Sequence, residues 1–270
     1  MKYEIKAHGK SEMRLKELWQ FRELLLMLAL RDFKVRYAQT FLGILWAFLQ
    51  PLVTLLIFIL IFDKAIKVNT GSVPYPIFAL AGMTVWNYFS YVVAQAGNSI
   101  IGAQSIITKI YFPRLIIPLS KALVGVIDFV ITLFFLAGVL FYYKFAPSFT
   151  IFYLPLFLLL LLILSGSVGI LFSALAIRFR DIQHTIPFII QVGMYLSPIA
   201  YPASLVPEKY RLFYDLNPLT GIIEGFRWCI TGTEGLPVKS IVFSVVITSF
   251  LCIISTYYFR KVEEVIADII

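Results

Sequence analysis

LSPIAYPASLVPEKYRLFYDLNPLTGIIEGFR, residues Leu196–Arg227, is the stretch that decides how this chain is built. It lies between the last two strongly apolar segments. It is too polar and too rich in proline for an ordinary spanning helix. It is also too apolar and aromatic for an ordinary aqueous loop. Backbone of that kind survives at membrane depth only where it is buried in protein or lines a water-filled path. The stretch therefore points to a conduit whose outer mouth it shapes.

The surrounding sequence sets the solvent. Of 270 residues, 60% are hydrophobic and 14% charged, with a mean hydropathy of +0.88. Soluble domains carry about 25% charged and about 45–50% apolar residues. The chain reads as an all-α integral membrane protein. Its net charge of +8 is not a nucleic-acid signal, because Lys and Arg beside spans set orientation and touch anionic headgroups. Cys229 and Cys252 read as packing residues, fitting neither a disulfide framework nor a metal pattern. His8 and His184 form no cluster, so no metal is expected. No cleavable signal peptide is expected either, since polar sequence precedes the first apolar run and no small-residue cleavage site follows it.

Spanning helices need about 20 mostly apolar residues. Six segments qualify: 42–62, 76–99, 115–142, 151–177, 186–203 and 241–259. The fifth is short and carries Pro198 and Pro202 at its end, where it should kink or stop. Fifteen Lys and Arg residues fall on the side of the N-terminus, against seven on the other side. The positive-inside bias puts both termini in the cytoplasm.

Residues 1–41 stand apart from the spanning region 42–270. Leu18, Phe21, Leu25 and Leu28 recur at helical spacing within 12–38, interrupted by Arg14, Glu17, Arg22, Arg31 and Lys34. With Trp19, this predicts an amphipathic helix in the cytoplasmic headgroup plane. It is either a simple anchor or a cuff around a partner.

Several chemistries are missing. There is no P-loop, no His-Glu-x-x-His site and no nucleophile elbow. Work must come from a nucleotide-hydrolysing partner or from an ion gradient. Gradient-driven transporters place ionisable groups at mid-membrane, and Asp128 is the clear case here. Lys121 is too far along the same helix to pair with it. Gln50, Gln95 and Gln191 are polar groups on other spans that could reach it. Asp128 either lines a wet path or packs, hydrogen-bonded, between helices. Ser165, Gly166, Ser167 and Gly169 form a small-residue patch for close helix packing.

Four stretches in fixed order resemble a known family: RYAQTFLGILWAFLQP from Arg36, YFPR from Tyr111, RFRDI from Arg178, and SPIAYP followed by NPLTGIIEGFR. The chain is similar to the type-2 ABC transporter permeases that export bacterial polysaccharides and polyol phosphates. Within them it most resembles the O-antigen permeases of the Wzm type. The resemblance covers nearly the whole chain, and the order and spacing of the four stretches are specific. It implies a multi-pass permease of the bacterial inner membrane that holds no cofactor itself. Two copies would form a homodimer on two cytoplasmic ABC ATPase subunits that bind ATP and Mg. The cargo would be a lipid-linked glycan passing outward. Teichoic acid or capsule polymer, a gradient-driven transporter, and a membrane enzyme of lipid-linked sugars are the alternatives.

That frame gives residues roles. Ile107, Lys109, Tyr111, Phe112 and Arg114 in one cytoplasmic loop, with Arg178, Arg180 and Asp181 in the next, form the expected ATPase-docking surface. Ile107, Tyr111 and Phe112 are its aromatic and aliphatic anchors. The plainer reading of both loops is topogenic charge. In the outer segment, about 204–235, Pro218 opens a run too short to cross a bilayer. A pair of re-entrant helices broken near Asn217-Pro218 is expected, with Glu224 and Arg227 on one face. The alternative is a surface helix with a solvated ion pair. Pro198, Pro202 and Pro218 shape the channel or gate. Trp86 and Tyr88, among the aromatics of the second span, either offer rings to sugar C–H faces or form an interfacial belt.

Overall fold

Long apolar runs without internal charge leave the backbone one way to satisfy its own hydrogen bonds in lipid, which is helix. In the computed structural model, residues 15–38, 43–232 and 235–263 are described, and they carry helix and turn only. The expected helix start at residue 12, the start of the first span at 42, and Lys2, Lys6, His8, Lys10 and Arg14 lie outside them.

In chain order the helices are α1 (Leu15–Gln20), α2 (Arg22–Tyr37), α3 (Trp46–Phe58), α4 (Tyr75–Gly97), α5 (Ser99–Gly102), α6 (Gln104–Ile107), α7 (Ile116–Tyr142), α8 (Leu154–Arg178), α9 (Ile182–Tyr195), α10 (Glu208–Asp215), α11 (Pro218–Thr231) and α12 (Val238–Glu263). A 3-10 turn precedes α3, and a π-helical stretch, Ile59–Ala65, continues it. Five helices among the described residues are long and apolar enough to cross a bilayer: Trp46–Ala65, α4, α7, Phe149–Arg178 and α12. They match five of the six expected spans.

The fifth expected span, 186–203, is helical over only part of its length. Its helix α9 is 14 residues long, about 21 Å at 1.5 Å per residue. It stops at Tyr195, a turn short of Pro198, because proline disfavours helical geometry in the residue before it and offers no N–H. The N-terminal expectation is also modified. The segment breaks at Phe21 into two helices. Asp32 meets Lys121 and Arg36 meets Asp128, so α2 climbs alongside α7 rather than standing clear of the bundle.

α4 is the hub. Buried almost throughout, it packs against α7, α8, α9 and α11, and α12 lies on the far side of α8. Close approach is made possible by small residues. A Cβ on Gly169 would come within 2.7 Å of the Ala96 Cβ, and one on Gly97 within 2.6 Å of Ile186. Gly166 faces open space, so only part of the small-residue patch is a packing seam. The main core runs through Leu80, Tyr88, Phe129, Leu161, Ile222 and Phe226. A second cluster joins Leu28, Ile100, Phe112, Ile116, Phe259 and Val262. It marks the end of the bundle where α2, the α4–α7 connection and the last turn of α12 meet, here called the basic end.

Candidate functional site

The stretch singled out in the sequence forms the least regular part of the fold, and it is built in. α9 runs antiparallel to α4: Ile186 lies against Gly97 and Gly193 against Trp86. Beyond Tyr195 the chain leaves helical geometry but keeps following α4, with Ile199 against Gly82. Ser197, Pro198, Ile199, Ala200 and Pro202 are all buried. Non-helical carbonyls away from water need partners, and side chains from elsewhere supply them. The Tyr201 hydroxyl donates to the Tyr195 carbonyl at 2.7 Å. Asn217 Nδ2 donates to the Leu196 carbonyl at 3.1 Å and to Ser197 Oγ at 3.0 Å. Arg227 Nη2 donates to the Ile199 carbonyl at 2.6 Å. The Tyr75 hydroxyl donates to the Ala200 carbonyl at 3.0 Å.

Arg227 is the rivet of this arrangement. It is 6% exposed. Its Nε also donates to the Phe78 carbonyl at 3.0 Å, and its guanidinium carbon sits 3.5 Å from the centre of the Phe78 ring. Gly82 makes room for it, since a Cβ there would lie 2.6 Å from Nη2. One side chain on α11 thus fastens the unwound segment to the first turns of α4. The planar, multi-donor guanidinium suits this work better than an ammonium.

The break between α10 and α11 falls at Leu216–Asn217. The Asn217 side chain caps α11 by accepting from the Leu219 N–H at 3.0 Å, and Pro218 sits at the first helical position, where its missing N–H costs nothing. α11 ends at Gly232, whose φ of +60° is the left-handed cap glycine adopts freely. Glu224 and Arg227 line a small cavity of about 40 Å³ with Thr70, Val73 and Pro202. Burial first, then the Tyr201 hydroxyl and the nearby Glu224 charge, push the Tyr214 phenol well above its usual range.

At the basic end, residues 107–114 border a depression of about 230 Å³. Ile110 and Tyr111 stand out from it, Tyr111 at 85% exposure. Lys109, Arg178, Arg180 and Asp181 are exposed, and Ile107 and Arg114 half-buried. Phe112 is corrected. It is turned inward among Ile100, Ile116 and Phe259, because the backbone turn at Pro113 puts its ring under the start of α7. It is a packing residue, whereas the neighbouring Tyr111 ring is exposed. Arg114 is held from α12: its N–H donates to Glu263 Oε1 at 2.9 Å and its guanidinium to the Glu263 carbonyl at 2.5 Å.

Asp128 has partners the sequence did not point to. Arg36 and Tyr37, from the last turn of α2, both donate to its carboxylate. The Arg36 guanidinium also lies 4.4 Å from the Tyr91 ring. Among the described residues these partners come from α2, not from Gln50, Gln95 or Gln191. Two turns nearer the basic end on α7, Lys121 donates to Asp32 at 2.5 Å. Burial alone would raise the Asp32 carboxyl, but Lys121 and Arg31 hold it below the usual carboxylate range.

The aromatic expectation is corrected as well. Trp86 and Tyr88 are buried inside the chain, Tyr88 donating to the Ala122 carbonyl at 3.2 Å and stacking edge-on with Phe129. They hold helices together and offer no face to a sugar. Sequence reasoning pointed to Arg227, Pro198, Pro202 and the break at Asn217, but missed Tyr75, Gly82 and Tyr201. Asn-Pro at 217–218 was a readable cap signal. The roles of Tyr75 and Gly82 depend on Ala200 and Arg227, each more than a hundred residues distant.

Comparison with known proteins places this geometry. The family model described as ABC-2 type transporter matches residues 23–231. An O-antigen export system permease protein, RfbA, of Klebsiella pneumoniae is 30% identical over 250 residues, covering 92% of this chain and 95% of that protein. The RfbA of Myxococcus xanthus is 28% identical, covering 78% and 82%. The polysialic acid transport protein KpsM of Escherichia coli is 25% identical, covering 83% and 88%.

Proposed function

The chain belongs to the ABC-2 type transporter family, and we propose that it is the membrane subunit of an ATP-driven exporter that moves a lipid-linked, O-antigen-like polysaccharide out of the cytoplasm. The observation that carries this reading is the unwound segment 196–203, buried at residues 197–200, 202 and 203. Its Leu196, Ile199 and Ala200 carbonyls accept from Asn217, Arg227 and Tyr75. A transporter keeps irregular backbone at depth where a path must be shaped. With α9 it follows α4 from Gly97 to Tyr75, about 33 Å of helix, and serves as the sixth crossing. The relatives named for O-antigen export and polysialic acid transport supply the cargo class.

The rest follows from what one copy cannot do. Among the described residues, α3 and its π-helical continuation bury little of their surface and show Trp46, Phe48, Leu56 and Leu60. A homodimer closing on such faces encloses the conduit. The sequence holds no P-loop, so two partner ATPase subunits bind ATP and Mg and dock at the basic end through Tyr111 and the Arg178–Asp181 turn. That end is cytoplasmic, with both termini there, and the α10–α11 pair stands at the outer mouth as a re-entrant gate. The membrane is the bacterial inner membrane.

The test is ATP-dependent movement of a lipid-linked glycan into inverted vesicles containing the chain and its partner. Inactivating the partner's ATP site is expected to stop transport. Transport that persists without ATP would overturn the assignment.

A further inference from the structure

The last helix touches both functional regions. α12 is 26 residues long, about 39 Å. At its C-terminal end Glu263 is hydrogen-bonded twice to Arg114, three residues after the exposed Tyr111. Phe259 and Val262 pack in the same small core as Phe112. The loop that carries Tyr111 is therefore fixed to α12, not only to its sequence neighbours α6 and α7.

At its N-terminal end α12 is fixed to the α10–α11 pair. Ser240 Oγ donates to Asp215 Oδ1 at 2.9 Å, and Lys239 pairs with Asp215 Oδ2 at 3.0 Å. Ser244 Oγ donates to the Pro218 carbonyl at 2.7 Å. Gly221 lets the two helices touch, since a Cβ there would lie 2.3 Å from the Ser240 carbonyl oxygen. These contacts flank the break at Leu216–Asn217, and Arg227 on the same α11 holds the unwound segment.

We infer that α12 is a connecting rod: it carries displacement of the docking loop 107–114 to the α10–α11 pair at the opposite end, with Arg114–Glu263 as its input and Asp215–Ser240 with Pro218–Ser244 as its output. This rests on the reading of the loop as an ATPase-docking surface. A continuous helix is stiff along its axis, and both ends are gripped by hydrogen bonds in fixed geometry. Both sites therefore bias one packed element, which is the physical requirement for coupling. α7, the loop's direct continuation, meets α11 through the Phe129–Phe226 ring contact, whereas α12 holds Asp215 and Pro218 on either side of the break.

The experiment follows the far end while the near end is driven. Cys229 and Cys252 are replaced by Ser, and Leu212→Cys is introduced on the exposed face of α10. Maleimide labelling is measured for the full complex with and without a trapped nucleotide. Trapping is expected to change the labelling rate. Glu263→Ala, which removes one charge-assisted hydrogen bond, is expected to shrink that change by about tenfold. Co-purification and hydrolysis by the ATPase are expected to persist. Glu263→Gln keeps an oxygen for the Arg114 N–H and is expected to retain most of the response. An undiminished response in Glu263→Ala overturns the rod, as does a lack of response in the parent complex. Loss of ATPase binding in Glu263→Ala would make Glu263 part of the docking surface and also overturn it. If no ATPase accompanies the parent chain, the docking reading itself fails.

Discussion

Arg36 and Asp128, 92 residues apart in the chain, form an ion pair that joins the end of the N-terminal helix to the middle of α7. Tyr37 adds a second hydrogen bond, and Tyr91 lies under the guanidinium. An acid inside a span is costly unless paired. Here the partner comes from outside the five long helices, so the N-terminal helix is part of the membrane body's electrostatics.

Removing one partner strands the other. Asp128→Asn or Arg36→Gln is expected to cost about 1–3 kcal/mol, less than a fully buried pair because the guanidinium is part-exposed. The double variant is expected to cost less than the sum of the two. Thermal unfolding in detergent over the four-member cycle checks this. Strict additivity would mean the pair contributes nothing.

The same acid separates two transport classes. If the pairing is structural, Asp128→Asn transports partially once folded, whereas inactivating the partner's ATP site stops export. A gradient-driven carrier would show the reverse. Initial rates in vesicles, corrected for folded protein, decide between them.

Arg227 supports backbone directly. Arg227→Ala leaves the Phe78 and Ile199 carbonyls without that donor, at an expected cost of about 2–4 kcal/mol. Arg227→Lys recovers only part, since an ammonium lacks the planar fork. Glu224→Gln is expected to alter transport. If Glu224 and Arg227 variants all transport normally, the segment does not gate.

The packing seam of α11 can be tested with single methyl groups. A Cβ at Gly225 would lie 2.0 Å from Phe157 Cε1. Gly225→Ala is therefore expected to destabilise by about 1–3 kcal/mol, and Phe157→Leu to relieve it. Gly138→Ala, at a site with open space, is expected to be neutral or slightly stabilising.

At the basic end, Tyr111→Ala and Phe112→Ala are expected to diverge. The exposed tyrosine should affect capture of the ATPase and leave the melting temperature alone. The buried phenylalanine should cost about 3–5 kcal/mol of stability. Pull-down and melting measured on the same preparations separate the two effects.

Long apolar runs made five helices readable to within a few residues, because hydrogen-bond satisfaction in lipid leaves no other local solution. Proline at 198 and 202 announced that the fifth segment would not stay helical. What replaced the helix was not readable, since its carbonyls are satisfied by Tyr75 and Arg227 from distant parts of the chain. Asp128 was visible as an isolated acid, but its partner was not. Arg36 sat in plain view as part of a basic lead-in, and nothing local says that α2 turns up along α7. Trp86 and Phe112 show the opposite error. An aromatic residue near a boundary looks like an anchor in sequence, and only its neighbours decide whether its face is already covered.

The most direct test of the account is purification of the chain from its native membrane in mild detergent, with mass spectrometry and an ATPase assay on the product. The account predicts a P-loop ATPase in equal amount, with hydrolysis that responds to lipid-linked glycan. A chain that purifies without an ATPase under several mild detergents would contradict it.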